Sequence, residues 1–109
     1  MANNYKNAKV DLTGTGATVL YTTPSATTTL IKSLLVSEDS GNADTITVTI
    51  TDAASSPATF SLFKVKAVGA NATVELLTQP LVVQEDEIIK VTAATGNRLH
   101  VVASLLEIS

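Results

Sequence analysis

In Thr45-Ile46-Thr47-Val48-Thr49-Ile50-Thr51 apolar and hydroxyl residues alternate without exception. A period of two sends successive side chains to opposite faces of a strand, so Ile46, Val48 and Ile50 face a core and the threonines face water. A helix would scatter the same residues around its circumference. The bias extends beyond this segment: Thr, Val and Ile supply 35 of the 109 residues, with no Trp and one Met. Such β-branched side chains are stiff at χ1 and fit a pleated surface better than a helix.

Turn residues divide the rest into short strands. Expected strands are Lys9–Thr13, Ala17–Thr22 (ended by Pro24), Thr28–Ser37, Thr45–Thr51, Phe60–Val68, Thr73–Leu77, Leu81–Val83, Ile88–Ala93 and Leu99–Ile108. The turns between them include Gly14-Thr15-Gly16, Glu38–Asn42, Gly69-Ala70-Asn71, Glu85-Asp86-Glu87 and Thr95-Gly96-Asn97. Eight or nine strands at this spacing predict an all-β chain, a single antiparallel β-sandwich of jelly-roll type over 10–109. Residues 1–9, rich in Asn and Lys, are expected to form a polar N-terminal arm. Ile46, Val48, Ile50, Phe63, Val65, Ile89, Val91, Val101 and Ala103 are the expected core, with Ala67 also inward and Lys64 and Lys66 outward.

Leu99–Ile108 departs from simple alternation. Leu99, Val101, Ala103 and Leu105 form one apolar face, yet the opposite face (His100, Val102, Ser104, Leu106, Ile108) is also largely apolar. A strand with one solvated face alternates, so this second face is expected to be covered. His100, Val102, Leu106 and Ile108 are therefore the expected oligomer interface. The cover could equally be the arm or a loop.

No residue set predicts catalysis, a cofactor or a metal. Gly14-Thr15-Gly16 lacks the third Gly, the Lys and the following helix that a phosphate loop needs. His100 is the only His and there is no Cys, which removes disulfides and thiolate metal sites. Glu85-Asp86-Glu87 and Glu38-Asp39 with Asp44 lack the spacing of a calcium loop. The formal net charge is −3 and the seven basic residues are scattered, which does not suit nucleic acid. No window reaches the length of a membrane span, and the polar start has no signal-peptide pattern, so synthesis in the cytosol without export is expected.

Two stretches resemble the small β-sandwich virion proteins of tailed bacteriophages. One is Leu20-Tyr21-Thr22-Thr23-Pro24 leading to Ile31-Lys32-Ser33-Leu34-Leu35-Val36. The other is Pro80-Leu81-Val82-Val83 leading through Glu85-Asp86 to Ile88–Ala93, then Leu99–Ile108 closing in Leu-Glu-Ile. The resemblance covers residues 17–108, and its motifs mark strands and turns. One departure is that the pattern's Gly before the Asp is Glu85 here.

The resemblance implies a capsid decoration (cement) protein on the virion surface. Its implied partners are itself, as a homotrimer, and the major capsid protein. Asn3, Asn4, Tyr5, Lys6 and Lys9 of the arm are then the expected contacts to a neighbour. A tail, neck or baseplate component is the alternative, or a host- or carbohydrate-binding adhesin module. Neither is an enzyme.

Overall fold

The computed structural model describes residues 2–109 and contains nine strands and no helix. They are β1 Asn3–Leu12, β2 Thr18–Thr22, β3 Thr28–Glu38, β4 Asp44–Thr51, β5 Thr59–Val68, β6 Thr73–Glu75, β7 Leu81–Val83, β8 Ile88–Ala93 and β9 Leu99–Ile108. Every pairing is antiparallel. The first sheet has the order β1-β9-β3-β6, with β7 also on β3; the second has the order β2-β8-β4-β5. The all-β sandwich expected from the sequence is the fold.

The core lies between the sheets. Ile31, Leu34, Val36, Leu99, Val101 and Ala103 of the first meet Ile46, Val48, Ile89 and Val91 of the second, all fully buried. The alternation in β4 is realised: Ile46 and Val48 are inward and the threonines are half-exposed on the outside. Ile50 and Phe63 pack on the core's margin, half-buried.

Two expectations need correction. The segment expected as a free arm is strand β1, which pairs with β9 in unbroken register from Asn3↔Ile108 to Leu12↔Leu99. The boundary placed at residues 9 and 10 therefore falls inside a strand. Ladder hydrogen bonds come from the backbone and do not need apolar side chains, and Ala8, Val10 and Leu12 supply an inward face. Ala2 and Ser109 exchange backbone hydrogen bonds of 2.9 and 3.0 Å, extending the pairing by one residue. Met1 lies outside the described residues.

The facing of β5 is also different. Val65 is 61% exposed and Ala67 is on the surface, because register shifts on either side of Val48 break the alternation along β5. Val65 takes φ +52°, a conformation strongly disfavoured for a β-branched residue, and its amide donates to the Thr47 hydroxyl at 3.0 Å. At the β7–β8 turn the left-handed residue is Asp86 (φ +63°), not Glu85, so the Glu in place of the Gly asks nothing unusual of the backbone there.

A two-sided face and its polar anchors

The sandwich presents two unlike surfaces. On the second sheet the outward rows are Ser61-Thr49-Lys90-Val19 and Thr59-Thr51-Ile88-Thr22, so threonine, serine and lysine hold most positions, and the exposed apolar residues stand at its edges, Val19 on β2 and Phe60 and Val65 on β5. On the first sheet one outward row runs Tyr5-Leu106-Leu30-Val82 across β1, β9, β3 and β7. Another runs Lys9-Val102-Leu35-Glu75 across β1, β9, β3 and β6. Tyr5 is 71%, Val82 51% and Leu35 38% exposed, while Leu30, Val102, Leu106 and Ile108 are half-buried. Contiguous exposed apolar surface of this kind marks association sites.

The two sets of residues singled out from the sequence thus meet on one face. Tyr5 pairs with Leu106, Lys9 with Val102 and Asn3 with Ile108. Asn4 and Lys6 point the other way, and the Lys6 ammonium pairs with Glu107 at 3.4 Å. Lys32 adds its ammonium 5.7 Å from the Tyr5 ring centroid. Leu30, Leu35 and Val82 were not among the expected interface residues. For Leu30 and Leu35 the signal was the nearly continuous apolar run in Thr28–Ser37, which reads as burial on both sides of the strand; Val82 had no such signal.

His100 stands at one end of this face. Its Nε2 lies 3.2 Å from Asp11 and its Nδ1 3.5 Å from Asp39. The two contacts are ion pairs only when the ring is protonated. A shallow depression of about 320 Å³ opens beside it, lined by Lys9, Val10, Asp11, His100, Val101 and Val102. Among the described residues no group of three His, Asp or Glu is placed to hold a metal ion.

Two carboxylates anchor the margins of the first sheet. Burial pushes the Glu38 carboxyl up, but hydrogen bonds from the Ser40 hydroxyl and the amides of Asn71, Ser40 and Gly41 outweigh it and hold the pKa down at about 2. The carboxylate thereby ties the β3–β4 and β5–β6 turns together. Glu75 follows the same logic. Desolvation raises its pKa, while the Ser33 hydroxyl and the amides of Leu34 (2.7 Å) and Leu77 (3.2 Å) lower it further, so the net shift is downward. Glu75 therefore ends its row as a charged group.

Inside the sandwich, Tyr21, Thr23, Thr29 and Glu107 form a buried polar cluster. Tyr21 Oη is 2.8 Å from Thr29 Oγ1 and donates to Glu107; Thr23 Oγ1 donates to Thr29 Oγ1 at 3.0 Å. No buried side-chain polar atom lacks a partner among the described residues. Partnered in this way, the cluster bears its burial without an orphaned polar atom.

The fold is a nine-stranded antiparallel sandwich. No protein-family model matches the chain, and no curated protein sequence matches it. Solved structures share the fold at low identity. A chain of the disulfide-linked pili of Bacillus endospore appendages superposes with TM-score 0.59 at 9% identity, covering 98% of this chain and 88% of that one. A chain of the acid-stable capsid of the Helicobacter pylori bacteriophage KHP30 gives TM-score 0.55 at 11% identity, covering 100% and 94%. A chain of infectious bursal disease virus, Gx strain, gives TM-score 0.57 at 10% identity and 96% coverage, but this chain spans only 32% of it.

Proposed function

We propose that the chain is a viral structural protein, the capsid decoration (cement) protein of a tailed bacteriophage, which strengthens the head by binding its surface as an oligomer. The observation that carries this reading is the inequality of the two outer faces: threonine-rich on the second sheet, apolar on the first. An oligomeric coat protein needs one wettable face and one that packs against a neighbouring copy. The fold likeness to the KHP30 capsid chain supports a place in a virion, and the motifs at 20–36 and 80–108 support the tailed-phage assignment.

The exposed edge of β1, with Asn3, Asn4, Tyr5, Lys6 and Lys9, is the proposed contact to the major capsid protein. It is ten residues long and its pairing carries no bulge, so a neighbouring strand can dock along it. The β2 and β5 edges are interrupted by register shifts, and β6 and β7 are three residues each.

Particle-binding tests the proposal. Purified protein added to undecorated heads is expected to co-sediment with them, and virion images are expected to show its density on the head. Density confined to the tail or neck would replace the decoration role with a tail role.

A further inference from the structure

We propose that the outer face of the first sheet is covered by the same face of a second copy, related by a two-fold axis parallel to the strands. The inference deepens the assembly reading above by naming the face's occupant. It depends on that face being an association surface, not on the particle to which the protein attaches.

The argument is in the order of residues along each row. A two-fold axis lying between two facing sheets and along their strands keeps each row level and reverses its order. Lys9-Val102-Leu35-Glu75 then lies against Glu75-Leu35-Val102-Lys9 of the copy. Each lysine meets a carboxylate, and Val102 meets Leu35. Tyr5-Leu106-Leu30-Val82 likewise lies against its own reverse, apolar throughout. The strip Asn7-Ser104-Ser33 between them meets itself, polar on polar. An in-plane axis across the strands would instead place β1 over β1: through the Lys9 row it sets Lys9 against Lys9 and Glu75 against Glu75, and through the Asn7 row it sets the charged Glu75 against Val82. The rows therefore select one axis.

Size agrees with this occupant. Ten-residue strands and four strand widths span roughly 600 Å² of planar area, before side-chain relief. Standard interfaces bury about 800 Å² per partner. Isologous pairing of a flat face closes at two copies, so the geometry favours a dimer over the trimer that the sequence resemblance implies. Sheets stacked face to face along nearly aligned strands pack well.

The test is sedimentation of the purified chain with two single variants and their mixture. Wild type is expected to run as a dimer. Leu35→Arg and Val102→Glu, both on the surface, are each expected to weaken dimerisation at least about tenfold while circular dichroism stays unchanged. Mixed in equal amounts, they are expected to recover a heterodimer, because the axis sets position 35 of one copy against position 102 of the other. Lys9→Glu alone is expected to weaken the dimer, more at low salt than at high. A monomeric wild type, a trimer, a dimer indifferent to both variants, or a mixture that stays monomeric would each overturn the pairing. Retention on virions is scored separately: a dimer that never co-purifies with particles supports the pairing and counts against the decoration role.

Discussion

The hydroxyl of Tyr21, on the second sheet, donates to the carboxylate of Glu107, on the first, and so joins the two sheets through the interior. Burial, then the hydrogen bond to Glu107, pushes the Tyr21 pKa up to about 12. Replacing Tyr21 by Phe keeps the ring but leaves the buried carboxylate short of a donor, which costs about 1–3 kcal/mol. Denaturant titration is expected to show the loss, and a variant as stable as wild type would remove the link from the fold's support.

The same group sets an alkaline limit. The folded pKa lies above the ordinary value of 10.0, so the neutral hydroxyl's contribution is complete below pH 10 and is lost as pH rises through about 12. Unfolding midpoints followed between pH 9 and 12.5 are expected to fall for wild type more than for Tyr21→Phe.

Glu38 sets the acid limit with the opposite sign. Its folded pKa of about 2 lies below the ordinary 4.5, so its contribution is complete above 4.5 and fades as pH falls toward 2. Glu38→Gln is expected to flatten the acid arm of the stability profile. The parallel loss of amide protection at Ser40, Gly41 and Asn71, whose N–H groups it accepts, is read by hydrogen exchange.

Removing Ala2–Lys9 is not the trimming of a loose end. It strips most of β1 from β9, bares the β9 edge and breaks the Lys6–Glu107 pair. The truncated chain is expected to melt lower and to aggregate. A soluble truncation with an unchanged melting temperature would show that the pairing contributes little.

Two core tests separate packing from surface. Val48→Asp puts an unpaired charge at a fully buried site and is expected to prevent folding, at a cost of several kcal/mol or more. Thr47→Val is expected to cost about 1 kcal/mol more than Thr49→Val, because only Thr47 holds the Val65 amide at the β5 bulge. Gly96 admits no side chain: a Cβ there would sit 2.5 Å from the Thr13 carbonyl oxygen, so Gly96→Ala is expected to open that turn.

The strands with a periodic apolar face were legible in the sequence. Thr45–Thr51, Ile88–Ala93 and Leu99–Ile108 carry their burial pattern in the side chains, and the structure has them within a residue. Strand β1 was not legible before Lys9, because Asn3–Asn7 belong to an exposed edge whose pairing rests on backbone groups common to every sequence. The bulges of β5 were equally hidden: Phe63-Lys64-Val65-Lys66-Ala67 alternates cleanly, and only the partner strand shows the slip. Half of the candidate face was visible, as the second apolar side of Leu99–Ile108. Leu30 and Leu35 were marked only by the apolar run of their strand, and Val82 joined the face through sheet order, which no local pattern encodes.

The bulges of β5 have a consequence in the language of polymerisation. A sheet with two open edges is a bifunctional monomer, and strand addition at both ends grows a fibre. Among the described residues β2 and β5 are kinked, β6 and β7 are stubs, and β1 alone offers a long straight edge. The chain is monofunctional toward strand addition: one such bond consumes its only reactive edge and terminates growth. A chain with one such edge can thus reach high concentration and still stop at a finite assembly.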